Sequence, residues 1–331
     1  MEKIREPLYE IIWAGKNVTK DVSPYLVELS YTDHLHGKSD EIQMVFEDRD
    51  DRWKTVWYPQ KGDILKVRIG IKEEVERWLK CGDFQIDEIE FSGPPDVINV
   101  KGLATFISEP LRQNKTYSWE NTTLSKILSD IAKRNNLQPV LELQKDIQLK
   151  RIDQKNETDL AFVKKLCEKY GYCVKVDSQR LIVIHPEKLE KADAVFVIEK
   201  GKTDIISFRF STKSCDTYHA CEVRYWDPEA KKEIVHVVTD PAVKSGSVLK
   251  ISERCENKEQ AIERAKAALK NKNKWECESE ISMVGNPWLT AGATVEVKGF
   301  GKLDGKYMIE EAQHTLNKSS GYTTSIKIRR V

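Results

Sequence analysis

Apolar and polar residues alternate with a period of two over most of the first hundred positions, the pattern of half-buried strands. It predicts strands at Tyr9 to Trp13, Val27 to Tyr31, Glu41 to Phe46, Ile64 to Ile71, Phe84 to Phe91 and Val97 to Leu103. Turn chemistry separates them at Ala14-Gly15, Lys61-Gly62-Asp63 and Gly93-Pro94-Pro95, where glycine and proline supply backbone angles that suit tight reversals. This is the rhythm of a small antiparallel barrel or sandwich.

From about Pro110 the period becomes helical. Leu124, Ile127, Leu128, Ile131 and Ala132 share one face, entered through Asn121, Thr122 or Thr123 and left at Asn135-Asn136. A second helix is predicted with Asn156 as its cap and Asp159 in its first turn, near the positive end of the helix dipole. Leu160, Val163, Leu166, Cys167 and Tyr170 form its apolar face, and Gly171 is placed to end it in a left-handed conformation. Short strands are expected at Tyr172 to Val176 and Leu181 to His185. After about Thr203 strands return, with one helix at Lys258 to Lys270 behind an Asn257 cap and a clean alternation from Trp275 to Met283. The expected fold class is α+β, mostly β. Residues 1–107 and 201–331 are read as two similar antiparallel barrel-like modules flanking an α+β insertion at 108–200.

An internal echo links the two ends. Gly62 is followed five residues later by Val67 and then by Gly70, and Gly292 five residues later by Val297 and then by Gly299. Further on, Gly82, Phe84, Ile86, Asp87 and Glu88 match the order Gly305, Tyr307, Ile309, Glu310 and Glu311. The spacing between the glycine blocks differs, so the echo reads as a diverged copy or as shared hairpin chemistry.

Gln154, Asn156, Glu157, Thr158 and Asp159, followed by an apolar helix, resemble a motif of the late control D family, the baseplate hub proteins of contractile phage tails and related injection machines. The segments YTDHLHGKSDEIQMVFED, CGDFQIDEIEFSGPPDVINVKG and GFGKLDGKYMIEEAQHTLNKSSGYTTSIKIRR resemble other stretches of that family in the same order. Gly82, Phe84, Asp87, Gly305 and Tyr307 belong to these stretches. The resemblance implies a structural homotrimer in the virion tail baseplate, assembled in the bacterial host cytoplasm, with the tail tube and tail spike proteins as partners. Three chains with two similar modules each would present six similar modules around one axis, a way to join a six-fold tube to a three-fold spike.

Composition narrows the alternatives. The chain has 331 residues, enough for two or three domains with real cores. Its 54 basic and 53 acidic side chains nearly cancel, which removes the electrostatic footprint of a duplex-binding protein. No signal peptide is expected in MEKIREPLYEIIWAG, and no apolar run reaches the roughly 18 residues of a spanning helix. No nucleic-acid or membrane partner is therefore expected. The seven cysteines form no Cys-x-x-Cys pair and read as buried reduced thiols.

Local motifs offer little catalytic chemistry. His34 and His36, beside Asp33 and Asp40, share a strand face but lack companion ligands, so an exposed turn is preferred to a metal site. Asp48, Asp50 and Asp51 have no calcium-loop register and read as a salt-bridged loop. GFGKLDG lacks the Lys-Ser/Thr ending of a phosphate loop and reads as a hairpin turn. No cofactor, metal or catalytic residue is expected. The alternatives to a structural hub are a tail-associated peptidoglycan hydrolase, for which no carboxylate pair stands out, and a carbohydrate-binding tail module using Trp53, Trp57 and Tyr58.

Overall fold

The computed structural model describes residues 5–104, 113–177, 179–213, 215, 217–227, 231–243, 245–253 and 255–331. By contact the chain forms two compact units. The first gathers residues 1–107, 193–209 and 279–328, and the second residues 108–192, 210–278 and 329–331. The expected boundary between residues 107 and 108 lies outside the described residues. The third expected segment, 201–331, is not one module, because its residues divide between the two units.

The first unit is one large sheet built from two six-strand sets. The first set is β1 (Glu6–Trp13), β3 (Leu26–His34), β4 (Glu41–Glu47), β5 (Ile64–Lys72), β6 (Glu76–Ser92) and β7 (Val97–Ala104), with a short β2 (Lys16–Asn17) and helix α1 (Thr19–Val22) after β1. The second set is β13 (Phe196–Glu199), β14 (Ile205–Thr212), β18 (Cys277–Val284), β19 (Thr294–Lys298), β20 (Gly305–Asn317) and β21 (Gly321–Arg330). In space the first runs β1-β5-β6-β7-β4-β3 and the second β13-β19-β20-β21-β18-β14. Numbered along the chain, both therefore follow the order first, fourth, fifth, sixth, third, second. One difference is the first strand, which is antiparallel to its neighbour in β1 and parallel in β13. Strands β20 and β3 join the sets.

Alternation does what it predicts in these strands. Ile42, Met44 and Phe46 of β4 are fully buried between half-buried neighbours, and they pack with Leu65, Ile69, Phe84 and Ile98 into the core of the first set. The second set buries Ile281, Val295, Val297, Tyr307, Ile309 and Ile326 in the same way.

The second unit contains β8 (Asn114–Thr123), α2 (Leu124–Arg134), β9 (Gln138–Glu142), β10 (Gln148–Thr158), α3 (Asp159–Lys169), β11 (Cys173–Asp177), β12 (Arg180–Ile184) and α4 (Pro186–Lys191). Its later part is β15 (Tyr218–Asp227), β16 (Lys232–Thr239), β17 (Ser247–Ser252) and α5 (Lys258–Asn273). This later part interrupts the second set between its second and third strands, which is why the expected C-terminal segment splits. The helix faces arise as the spacing dictates. All five expected residues of α2 are buried, and Thr123 caps it by accepting from the Lys126 amide at 3.3 Å. Asn257 caps α5 by accepting from Gln260 at 2.8 Å, and Ala261, Ala265, Ala268 and Leu269 press against Cys221 and Val223 of β15.

Candidate assembly site

The five motif residues from Gln154 to Asp159 lie in the second unit, where β10 runs directly into α3. The expected cap is corrected: Asn156 does not start the helix. It sits at φ +46° in a bulge, where the pairing of β10 with β8 shifts between Gln154 and Glu157. Asparagine tolerates that left-handed conformation better than most residues. The cap is Thr158, whose hydroxyl accepts from the Ala161 amide at 3.2 Å. The buried face of α3 uses Phe162 with Val163, Leu166 and Cys167, while Leu160 is only half-buried. Gly171 follows at φ +78°, ending the helix as its position predicts.

Asp159 and Gln154 are fully buried. The Asp159 carboxylate accepts from Lys115 Nζ at 2.7 Å, Asn135 Nδ2 at 2.8 Å, Gln154 Nε2 at 2.9 Å and Arg134 Nε at 3.0 Å. Gln154 in turn accepts from Arg134 at 2.9 Å and donates to the Glu157 carbonyl at 2.9 Å. The motif is thus a polar lock that ties β8, the end of α2, β10 and the start of α3 together. Burial alone would push the Asp159 carboxyl upward. The hydrogen bonds from Lys115, Asn135, Gln154 and Arg134 overcome it and hold the group below its ordinary value. Glu157 faces outward and pairs with Lys165 at 2.6 Å.

Gly82, Phe84, Gly305 and Tyr307 lie in the first unit, at matching places in the two strand sets. In the first hairpin Val67 stands opposite Gly82 and Leu65 opposite Phe84. In the second, Val297 stands opposite Gly305 and Val295 opposite Tyr307. Both ladders end alike. Gly62 donates to Ile86 and Ile86 to Asp63, each at 2.9 Å, while Gly292 donates to Ile309 at 2.8 Å and Ile309 to Ala293 at 2.9 Å. Gly82 and Gly305 have φ of +111° and +142°, where a side chain would be strained. Phe84 and Tyr307 are fully buried, and Asp87 is exposed just past the shared break. The sequence echo is therefore a repeated structure, with two similar modules.

The joint between the modules pairs Glu311 to Asn317 of β20 with His34 to Glu28 of β3. Asp33 of the Tyr-Thr-Asp segment fastens it by accepting from the Ala291 amide at 2.9 Å, while Asp40 accepts from the His34 amide at 3.0 Å within the first module. Beside it His314 is fully buried, with Nδ1 2.8 Å from the Tyr322 hydroxyl and Nε2 2.9 Å from the Leu289 carbonyl. Burial lowers its pKa to about 4. An unfolded chain takes up this proton near pH 6.5, about two units higher. Stability is then complete above pH 6.5 and falls as pH drops toward 4, because the unfolded state binds the proton first. Urea unfolding should show a loss of about 2 kcal/mol between pH 7 and 4.5 from this group. His314→Gln should remove that part of the pH dependence; an unchanged slope would assign it elsewhere.

Other sequence candidates are structural. The expected exposed turn is corrected at His34, which ends β3 and is buried against Glu311 at 3.2 Å, and burial lowers its pKa. Among the described residues no three His, Cys, Asp or Glu side chains gather as a metal site. Asp48 accepts from the Trp53 amide at 3.1 Å, Asp50 from the Tyr25 hydroxyl at 2.8 Å, and Asp50 pairs with Arg52 at 2.7 Å. Trp53 is buried and stacked on Phe46 at 4.2 Å, so it is core and only Tyr58 of the expected aromatic trio is exposed. Burial raises the Cys81, Cys167 and Cys221 thiols above their ordinary values, as expected of packed rather than reactive cysteines, while Cys215 is exposed. No helix among the described residues is long and apolar enough to cross a membrane.

Comparison with known proteins places this architecture. The sequence profile of the YQBQ-like family matches residues 111–329, about two thirds of the chain. The chain belongs to the YQBQ-like family. It is also similar to the probable baseplate hub protein of Escherichia phage 186, with 24% identity over 365 residues that cover 97% of this chain and 92% of that one. The probable baseplate hub protein of Escherichia phage P2 is 31% identical over 180 residues, 54% of this chain and 45% of that protein. Among solved structures, the 43 kDa tail protein of prophage MuSo2 from Shewanella oneidensis superposes with a TM-score of 0.75 at 15% identity, covering 98% of each chain. At that identity the likeness is one of fold. The YQBQ-like match covers the signature lock, the insertion and most of the second module, and the alignment with the phage 186 protein extends over the first module too.

Proposed function

We propose that the chain, a structural baseplate hub protein of a phage-type tail, works as a homotrimer whose six modules form a pseudo-six-fold ring between a six-fold tail tube and a three-fold spike. The observation that carries this reading is the repeat: two modules with the same strand order and the same hairpin register in one chain. A trimer of such chains meets a six-fold partner with six similar modules and a three-fold partner with three chains. The names of the phage 186 and P2 relatives support the hub role. On this reading the chain acts by assembly rather than catalysis, is built into the tail in the host cytoplasm, and has tail tube and tail spike proteins as neighbours.

Light scattering on a size-exclusion column tests it directly. The expected mass is three times the 38.2 kDa chain when it assembles alone, and that of three chains plus the bound spike when assembly needs the tail spike protein. A chain that remains monomeric at every concentration, with the spike protein present, would rule the ring out.

A further inference from the structure

We propose that the exposed edge of β14 pairs with the open half of β6 on a neighbouring copy, repeating between chains the joint that β20 and β3 make within one. The inference rests on the ring reading and supplies its contact. In the second module the fifth strand, β20, changes partner midway. Residues Gly305 to Met308 pair with the fourth strand, β19, and Glu311 to Asn317 pair with β3, the second strand of the other module.

The fifth strand of the first module, β6, has the same layout with one partner missing among the described residues. Glu76 to Gln85 pair with the fourth strand, β5, and the ladder closes at Ile86 as its counterpart closes at Ile309. Beyond that point Glu88 to Ser92 pair with β7 along one edge, and β5 no longer runs along the other. The missing partner would be the second strand of the other module, β14. Among the described residues that strand ends the sheet path, with β18 as its one neighbour there. Each chain thus carries a fifth strand in want of a second strand, and a second strand in want of a fifth. The two edges are different surfaces, so their pairing is head-to-tail, the kind of contact that generates closed rings. The joint inside the chain is antiparallel, and the one between chains would be antiparallel too.

The side chains fit an interface. An exposed strand edge is a template for pairing unless charge, proline or a cover blunts it, and strand addition is a common mode of recognition. The β14 edge shows Ile206 at 58% and Phe208 at 46% exposure, and the β6 half shows Phe91 at 41%. Glu88 and Glu90 are exposed on β6 and Arg209 on β14, giving opposite charge on the two edges. In the joint already made, Glu311 occupies the place that matches Glu88, and it faces His34 of β3.

Charge exchange tests the pairing. The substitutions Ile206→Glu with Arg209→Glu set like charge against the acidic β6 edge, and Glu88→Arg with Glu90→Arg set it against Arg209. Each pair should raise the concentration for half-assembly by at least about tenfold, and the chain carrying all four should recover the trimer. All four positions are exposed, and circular dichroism melting checks that each variant folds. Trimers that persist in both pairs overturn the strand joint and leave the ring reading standing, as does failure of the folded four-fold chain to recover. A wild-type chain that stays at 38.2 kDa with the tail spike protein present overturns the ring and the joint together.

Discussion

Tyr307→Ala should lower the stability of the first unit by about 3–5 kcal/mol, and Phe84→Ala by a similar amount. Both rings are fully buried and stand at the same place in their hairpins, opposite Val295 and Leu65. Removing either leaves a ring-sized cavity between strands that are hydrogen-bonded on both sides and free to collapse only in part. Tyr307 also donates to the Leu303 carbonyl at 2.7 Å. Tyr307→Phe isolates that bond and should cost about 1 kcal/mol. Urea unfolding of the three variants separates cavity from hydrogen bond. A loss under 1 kcal/mol for either alanine variant would show that the two hairpins do not carry equivalent parts of the core.

That equivalence was visible in the sequence because hairpin chemistry is local. A glycine at positive φ with a valine five positions on, and a later glycine with an aromatic two positions beyond it, are short-range requirements that both hairpins meet. Whereas the start of α2 was narrowed only to Asn121, Thr122 or Thr123, of which Thr123 is the cap, the Asn257 cap and the ending at Gly171 were legible for the same reason. The start of α3 was not. Asn156 and Thr158 are both good capping residues, and choosing between them requires knowing that β8 pairs with β10 as far as Thr158. Alternation also could not reveal that β15 to β17 belong to a different unit from β14 and β18, because strands of any sheet share a period of two. The edges of β6 and β14 were equally hidden, since they are defined by which of the described strands run beside them.

Asp159→Asn is expected to destabilise the second unit by about 3 kcal/mol, the lower part of the range for breaking a buried charge pair from one side. The carboxylate is fully buried, while Lys115 and Arg134 retain about a quarter of their side-chain exposure, so water relieves part of the charge the variant leaves unpaired. Glu157→Ala, next to it in the same motif, removes a pair with a largely exposed Lys165 and should cost under about 1 kcal/mol. The contrast separates a motif kept for its internal lock from one kept for an outward surface. Acid unfolding adds a second readout. Because the folded Asp159 pKa lies below its ordinary value, its contribution is complete above about pH 4, the unfolded pKa, and is lost as pH falls through the folded one. Asp159→Asn should therefore flatten stability against pH below about 4 as well as lowering it at neutrality. Equal small losses for Asp159→Asn and Glu157→Ala would mean that the buried network does not hold the strand and helix ends together, and that the motif's weight lies on its exposed side.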